Sequence, residues 1–450
     1  MIDKIKKLID SCPADYVDAR IDSGPFTSII VKDGKVENVI SASAWGLGVR
    51  VLVNGSWGFA SANRRGKVGE IFEKAVRLAK LTKGKSRLSD EKPVRAKTKT
   101  KFKINPRDVN VEEKIKLVLG AEREMRADAR IKNTALSYSD AAGKHVFLSS
   151  EGAEIFQKRV FTFLGMSAIA KEGAVLQRAS ESMGARAGYE ILRRSGEKAA
   201  SAREKAIQAL GARLPPKGKF TVIIDGRLAG VLAHEAVGHA CEGDALMANN
   251  SILRGKLGAR IASEQITICD DATAPRAFGS YDYDDEGVRA SKKIMVERGV
   301  LRGFLHSRES GAEFGARSTG NARASGYSDA PIIRMSNTYI ERGTWENEEL
   351  FEIKNGIYAK GMRGGSVMPK TGEYVFAAEE GCLIEDGELA APLRDILLSG
   401  EILKTLKSVE AVARDSSDFH PGMCGKMDQS INVGDRGPHI RIRNVLIGGR

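Results

Sequence analysis

The segment "KFTVIIDGRLAGVLAHEAVGHACEGD" (residues 219–244) joins a strand to a helix and places two histidines on that helix. Its "FTVIID" run is apolar and rich in β-branched residues, as is typical of a buried strand. Asp225 stands where a helix N-cap is expected, because its carboxylate can accept a backbone N–H of the first turn. The segment therefore predicts that His234 and His239 lie on a helix that follows a core strand.

The spacing of these two histidines is unusual for a shared metal ion. In the zinc-peptidase signature H-E-x-x-H, histidines four residues apart share one helix face and the glutamate acts as general base. Here Glu235 follows His234 directly, but His239 comes five residues after His234. At about 100° per residue, five positions turn two side chains about 140° apart, whereas four positions leave them about 40° apart. We therefore expect a widened turn of π type, at a cost that Gly238 lowers.

The length of the chain, 450 residues, exceeds what one ordinary core accommodates. Two prolines and a glycine in "RLPPKGK" (213–219) mark the predicted boundary. We expect an N-terminal α/β domain with antiparallel strands (1–213) and a mostly β C-terminal domain that carries one metal-binding helix (219–450). The predicted fold class is α+β.

Turn signals and periodicity organise the first half of the chain. The dipeptides Asp33-Gly34 and Asn54-Gly55 separate strand-like runs and predict a meander of antiparallel strands. Apolar residues at intervals of three and four predict helices at residues 2–10, 66–83, 110–126 and 196–212. Residues 84–105 are poor in apolar side chains and predict a connection across the surface.

Composition and charge distribution indicate which partners and which cellular location to expect. The net charge of +13 is spread along the chain, and the basic run 92–103 lacks the interleaved aromatic residues of a stacking platform. We therefore expect a solvated basic surface and no nucleic-acid partner. The N-terminus lacks the features of a signal peptide, and no apolar run is long enough to cross a membrane, so we expect a cytoplasmic protein without membrane contact.

A catalytic zinc ion usually takes three protein ligands and keeps one position for water. His234 and His239 supply two. The residues alone leave the third open between nearby and distant side chains, which are Cys241, Glu242, Cys269, Cys382, His420, Cys424 and His439. The glycines on either side of Cys424 in "DFHPGMCGKMDQSINVGDRGP" predict a loop that lets the backbone approach an ion.

"HEAVGHACEGD" together with the downstream "MCGK" resembles the TldD/PmbA family of metallopeptidases, whose active TldD-like members carry H-E-x-x-x-H and a distal Cys-Gly-Lys. Other similar stretches are "YDYDDEG", "GVLRGFLHSRESG", "RSTGNAR", "RMSNTYIERG", "GGSVMPKTGEYVF" and "CLIEDGE". The resemblance implies His234, His239 and Cys424 as zinc ligands and Glu235 as the catalytic glutamate. Cys241 stays open as a competing ligand.

The resemblance also implies an activity and partners. It implies hydrolysis of unfolded or extended polypeptides, such as leader peptides or degradation intermediates, by a zinc-bound water that Glu235 activates. It implies a dimer, with itself or with a catalytically silent paralogue. The Gly-rich segment "GMRGGSVMPKTGEYVF" is typical either of an edge strand open to an extended peptide or of a plain hairpin.

Two further functions stay open on the sequence. One is a non-enzymatic regulator or scaffold with a structural metal, similar to a gyrase modulator. The other is a metal hydrolase of non-peptide amides. Near the helix, Glu242 and Asp244 could orient an imidazole, although solvated loop carboxylates are the more ordinary reading. The acidic residues Asp270, Asp271, Asp282, Asp284, Asp285 and Glu286 predict turns and not a calcium site.

Overall fold

A seven-stranded, mostly antiparallel sheet is formed by the first part of the chain in the computed structural model, which describes residues 1–448. Its strands are β1 (Tyr16–Lys32), β2 (Lys35–Val53), β3 (Ser56–Ala62), β4 (Arg95–Lys99), β5 (Ile131–Ser149), β6 (Glu154–Glu172) and β7 (Val175–Ala185). They lie in the order β3-β2-β1-β5-β6-β4, and β7 pairs with β6. The predicted meander of β1, β2 and β3 is confirmed: its two turns have positive φ at Asp33-Gly34 and Asn54-Gly55, as type I′ hairpins require.

Four helices cover this sheet, and each overlaps a predicted one. They are α1 (Ile2–Asp10), α2 (Val68–Ala79), α3 (Val111–Met125) and α4 (Ser195–Gln208). Helices α1 and α2 pack on β1 to β3, α3 packs on β1 and β5, and α4 packs on β5 to β7. Each helix places its apolar stripe on the sheet, which is the reason that periodicity located them.

The predicted surface connection 84–105 is wrong at one point, because it contains strand β4. This strand pairs in parallel with β6 at the margin of the sheet, and its outward side chains, Arg95, Lys97 and Lys99, are exposed. Charged side chains on an edge strand discourage unwanted pairing with another chain. A strand of this kind buries too little apolar surface to be visible in the sequence.

The second part of the chain forms a nine-stranded sheet, a six-stranded sheet and a two-stranded ribbon. The strands are β8 (Gly218–Ile224), β9 (Ile268–Asp271), β10 (Lys292–Glu297), β11 (Val300–Leu301), β12 (Ala322–Arg323), β13 (Ile332–Ile333), β14 (Asn337–Ile340), β15 (Asn355–Lys360), β16 (Gly364–Val367), β17 (Glu373–Ala377), β18 (Glu380–Glu385), β19 (Glu388–Leu393), β20 (Leu397–Glu401), β21 (Val409–Val412), β22 (His420–Lys426), β23 (Gln429–Arg436) and β24 (Ile440–Gly448).

The larger sheet runs β16-β17-β20-β24-β8-β15-β18-β19, with β21 on β24, and the six-stranded sheet runs β11-β10-β9-β14-β23-β22. The helices of this part are α5 (Gly226–Ala233), α6 (Gly243–Met247), α7 (Arg308–Glu313), α8 (Asn347–Leu350) and α9 (Ile402–Lys407). Helix α5 packs against both sheets, through β15 on one side and β14 and β23 on the other. The chain is therefore α+β, as predicted. The division between residues 213 and 219 stays a prediction.

Acidic side chains of the segment 282–286 link the two parts of the chain. Asp284 accepts backbone N–H groups of Glu286 and Val288, which is the turn that the sequence predicts. Its neighbour Glu286, however, forms a buried ion pair with Arg50 of β2 at 3.1 Å. The acidic run therefore forms a turn and also, through Glu286, contacts a strand of the first sheet. Among residues 1–448, no helix combines the length and apolar character needed to cross a membrane.

Candidate metal centre

Helix α5 is anchored before it reaches the first histidine. Strand β8 ends at Ile224, and Asp225 caps the helix by accepting the backbone N–H of Leu228 at 2.9 Å, as predicted. Leu228 and Leu232 are buried in the core between the two sheets. His234 therefore directly follows the carboxyl end of a firmly held helix.

A π-turn follows α5 and covers His234–Gly238, and a 3₁₀ turn covers His239–Cys241. The predicted π distortion is confirmed. It brings the two imidazole rings to a centroid separation of 5.2 Å with planes at 84°. Gly238 also serves a purpose that the sequence did not show, since a Cβ at this position would lie 1.9 Å from Sδ of the buried Met335.

Cys424 approaches the two histidines from a different part of the fold. Its Sγ lies 3.3 Å from Nε2 of His234 and 3.5 Å from Nε2 of His239. The predicted loop around Cys424 is wrong: the residue is inside β22, which forms a hairpin with β23. The glycines that predicted the loop are compatible with an extended strand, and the turn comes later, at Met427 and Asp428, both with positive φ.

The three ligand atoms suit one metal ion. In the part of the chain that the structure describes, His234, His239 and Cys424 form the one group of three or more such side chains whose ligand atoms lie close enough, within 4.8 Å of one another. Ligands at about 2.0 Å (nitrogen) and 2.3 Å (sulfur) from one tetrahedral zinc lie about 3.5 Å apart. Two imidazoles and a thiol are ligands that zinc prefers, so the donor set fits this metal.

The other sequence candidates for a third ligand do not join this group. Cys241 is fully buried among apolar side chains, and burial raises the pKa of its thiol. His439 is held elsewhere by the carboxylate of Asp415 and the hydroxyl of Tyr358. The remaining candidates outside the group are Glu242, Cys269, Cys382 and His420.

Each imidazole has a carboxylate on its other nitrogen. Nδ1 of His234 lies 3.0 Å from Oδ1 of Asp435, and Nδ1 of His239 lies 3.1 Å from Oε2 of Glu242. Such contacts fix the orientation of a ligand ring and leave Nε2 free for a metal. Glu242 is buried, so the solvated-loop reading is wrong for it. Sequence reasoning missed Asp435. This residue lies on β23, the strand that pairs with the strand of Cys424, and it is opposite His420 in the register.

Lys426 closes the polar network under the site. Its Nζ lies 3.0 Å from Oε2 of Glu242 and 2.7 Å from Oδ2 of Asp244. The ammonium compensates the charge of Glu242, whose pKa it and His239 lower against the effect of burial. Glu242 is thus ionised where it meets His239, which makes it a strong hydrogen-bond acceptor.

The electrostatics of the group favour a bound cation. Burial alone would raise the pKa of the Cys424 thiol, but the hydrogen bonds from His234 and His239 lower it to about 5. Burial opposes the charged form of both imidazoles, yet the pKa of His239 is raised to about 9 by the Cys424 thiol and Glu242. Thiolate is the form in which cysteine binds metals. Negative charge therefore converges on this point from Cys424, Asp435 and Glu242.

Glu235 stands apart from the ligand atoms. Its Oε2 lies 3.9 Å from Nε2 of His239, and its side chain is 26% exposed, whereas that of His234 is 4% exposed. Strand β16 packs beside the π-turn, is the outermost strand of its sheet and forms a hairpin with β17, so features of both readings of this segment are present. Its residues Gly364 and Gly365 are exposed. An accessible carboxylate and an open strand edge thus adjoin the same turn.

Comparisons with known proteins agree over the length of the chain. Three family models match: the PmbA/TldA metallopeptidase domain 1 at residues 17–79, the central domain at 104–210 and the C-terminal domain at 217–449. A protein of Methanothermobacter thermautotrophicus named metalloprotease is 43% identical over 442 residues, which cover 97% of this chain and 96% of the relative. A protein of Saccharolobus solfataricus named zinc metalloprotease TldD homolog is 30% identical over 417 residues, 90% of each chain.

Solved structures support the fold. A Thermotoga maritima protein described as a putative modulator of a DNA gyrase has a TM-score of 0.82 at 22% identity, with all of both chains covered. TldE from Thermococcus kodakarensis has a TM-score of 0.76 at 22% identity, with 100% of this chain and 99% of TldE covered. At this identity the likeness concerns the fold alone.

Proposed function

Because the chain belongs to the PmbA/TldD metallopeptidase family, we propose that it is a zinc-dependent peptidase that hydrolyses unfolded or extended polypeptides. His234, His239 and Cys424 are the proposed zinc ligands, and Glu235 is the proposed general base. One observation carries the proposal: the π-turn sets the Nε2 atoms of both histidines 3.3 and 3.5 Å from a single cysteine sulfur.

The chain's own contribution to the reaction is the handling of protons. Zinc, when bound, supplies Lewis acidity that polarises a peptide carbonyl and acidifies water. Glu235 is exposed enough to meet water and substrate and close enough to His239 to act beside the ligands. Its carboxylate takes a proton from the attacking water and passes it to the departing amine, so one residue serves as base and then as acid.

The proposed substrate is an extended chain. An edge strand presents unpaired backbone N–H and C=O groups, to which an extended peptide can add as a further strand. Strand β16 offers such an edge next to the turn that carries Glu235. Backbone pairing selects for extended conformation more than for side-chain identity. This favours leader peptides or degradation intermediates over folded proteins.

We also propose that the protein works as a dimer, either with a second copy or with a catalytically silent paralogue. Residues 35–46 of β2 have no strand partner on their outer edge among the described residues. Val36, Val39 and Ile40 are exposed there. Light scattering of the purified chain, alone and mixed with the paralogue, measures which dimer forms. A monomer under both conditions would contradict this part of the proposal.

The test of the peptidase proposal compares metal content with cleavage of an unfolded casein. The Glu235→Gln variant should keep its zinc and lose about 100-fold or more of the activity, since general acid–base catalysis contributes this much. Glu313→Gln, at an exposed site on α7, is the matched control and should retain activity.

Two outcomes would overturn the proposal. Zinc retention with no cleavage by the native chain would indicate a structural metal. Cleavage of small non-peptide amides in preference to casein would indicate a different hydrolase. If Glu235→Gln keeps both metal and activity, the assigned role of Glu235 is wrong.

A further inference from the structure

A cavity lies between the first sheet and the loops of the second part of the chain, with a volume of about 490 Å³. Cavities of this size accommodate small ligands or a few residues of a peptide. Met423 lines it, while the next residue of β22, Cys424, faces the two histidines. Successive side chains of a strand point to opposite faces, but Ile431, which pairs with Cys424, also lines the cavity. The cavity and the metal centre therefore share the β22–β23 hairpin.

The lining combines an aromatic surface with cations. Phe26, Phe161, Phe278 and Tyr327 contribute rings, and Phe161 meets Phe278 edge to face with centroids 6.2 Å apart. Five cationic side chains and three carboxylates also line the space; the cations are Arg20, Lys144, Arg159, Arg186 and Arg323. The cavity thus offers apolar contact area next to an excess of positive charge.

The carboxylates of the lining are already engaged. Asp22 lies 2.7 Å from Nδ1 of His145, and Asp285 lies 3.2 Å from Nε2 of the same ring. Asp285 also accepts the backbone N–H of Ala324, and Asp284 accepts backbone N–H groups in its turn. Of the cations, Arg159 lies 3.7 Å from Asp285 and Arg186 pairs with Asp282, so Arg20, Lys144 and Arg323 remain without an ion pair among residues 1–448.

Three of these cations have a hydrogen-bond donor or a charge without a partner among the described residues. Arg20 is buried, with 1% exposure, and donates one hydrogen bond to the carbonyl of Asp329, but its Nε has no partner within the described residues. Nε of Arg159 is likewise buried and unpaired there, although its Nη2 lies 3.7 Å from Asp285 and donates to the carbonyl of Tyr283. The exposed Lys144 forms no ion pair in residues 1–448. A buried guanidinium N–H without a partner is costly, so a ligand acceptor that reached it would be bound favourably.

Bare backbone forms part of the wall. The pairing of β1 with β5 is interrupted at Gly24 and Pro25. A Cβ on Gly24 would lie 2.5 Å from Cα of Gly143, so the two glycines allow a close backbone crossing without side chains. The wall at this point therefore consists of backbone.

We propose that this cavity binds the carboxyl terminus of a peptide, with the terminal carboxylate on Arg20, Arg159 and Lys144 and the last, apolar side chain on the aromatic surface. Guanidinium groups recognise carboxylates through paired N–H donors, and the rings bury an apolar side chain. The identity of the ligand as a substrate or product end rests on the proposed peptidase function. Binding itself requires neither the metal nor Glu235.

The test is isothermal titration of the full chain carrying Glu235→Gln, which prevents turnover. The probes are the tripeptide Ala-Leu-Phe with a free carboxyl end and the same tripeptide amidated. The free acid should bind at least tenfold more tightly. Arg159→Gln should remove most of that difference, whereas Arg178→Gln, an exposed arginine on β7 outside the cavity, should preserve it.

A second variant separates loss of the cavity from loss of the fold. Gly326 lines the cavity, and a Cβ there would meet nothing within 4 Å, so Gly326→Trp fills the space without entering a core. It should abolish binding of both probes while the melting temperature and zinc content stay native. Equal binding of acid and amide, or undiminished binding of the acid by Gly326→Trp, would overturn the inference. Neither result depends on whether the chain cleaves casein.

Discussion

The imidazole rings of His234 and His239 lie 5.2 Å apart although five positions separate the residues in the sequence. A regular helix would turn these side chains to different faces. The extra residue of the π-turn compensates for the spacing and points both Nε2 atoms at Cys424. The unusual spacing and the irregular helix are therefore two aspects of one feature.

Gly238→Ala tests the close packing that the π-turn needs. The new methyl group would overlap Met335, which is fully buried, so we expect a loss of about 1–3 kcal/mol in the free energy of unfolding. We also expect weaker zinc binding, because the turn must shift. Gly69→Ala in α2, where a Cβ meets nothing within 4 Å, is the matched control and should not destabilise the chain. Equal stability of the two variants in urea titrations would refute the packing argument.

Asp435→Asn tests the carboxylate behind His234. Loss of its charge leaves the ring less well oriented and less basic, so zinc affinity should fall about 10- to 100-fold in a chelator competition. Asp428→Asn is the control: this exposed turn residue has a φ of 59°, which asparagine tolerates, and its affinity should stay native. An unchanged affinity of the Asp435 variant would show that the contact does not support the site.

The lowered pKa of Glu181 leads to a prediction of how the free energy of unfolding depends on pH. Burial would raise its pKa, but the hydrogen bond from Lys205 and the nearby Lys198 lower it to about 2, below the value of about 4.3 in an unfolded chain. A depressed carboxyl pKa stabilises the fold fully above the unfolded value, and this stabilisation disappears as pH falls from about 4 towards 2.

The corresponding variant is Glu181→Gln. It should be less stable than the native chain at pH 7, by at most about 3 kcal/mol, and the gap should narrow below pH of about 4. Glu172→Gln, at an exposed position of β6, should show no such gap. Thermal melts from pH 3 to 7 measure both, and a gap that is constant with pH would contradict the assignment.

Arg50→Met tests the ion pairs that join the two parts of the chain. Arg50 contacts Asp18 at 2.6 Å and Glu286 at 3.1 Å, and all three side chains are buried. Removing the guanidinium leaves the two buried carboxylates without their counterion, so the free energy of unfolding should fall by about 3–5 kcal/mol. Arg302→Gln breaks an exposed pair with Glu297 and should cost at most about 1 kcal/mol. Comparable losses in both variants would mean that burial is unimportant here.

The sequence predicted those parts of the site that local chemistry determines. The N-cap at Asp225 and the need for a π-turn follow from residues adjacent in the chain, and both are confirmed. Asp435 and the strand setting of Cys424 depend on pairing between β22 and β23, which no local pattern specifies. Strand β4 was hidden because its charged side chains give no apolar alternation. Resemblance, not residue spacing, singled out Cys424.

The X-ray absorption spectrum of the zinc-loaded native chain tests the metal centre most directly. Two imidazole nitrogens and one sulfur should surround the ion, with distances of about 2.0 and 2.3 Å. The sulfur contribution should vanish in Cys424→Ala and persist in Cys241→Ala. A spectrum without sulfur in the native chain, or a sulfur signal that survives Cys424→Ala, would contradict the ligand set of His234, His239 and Cys424.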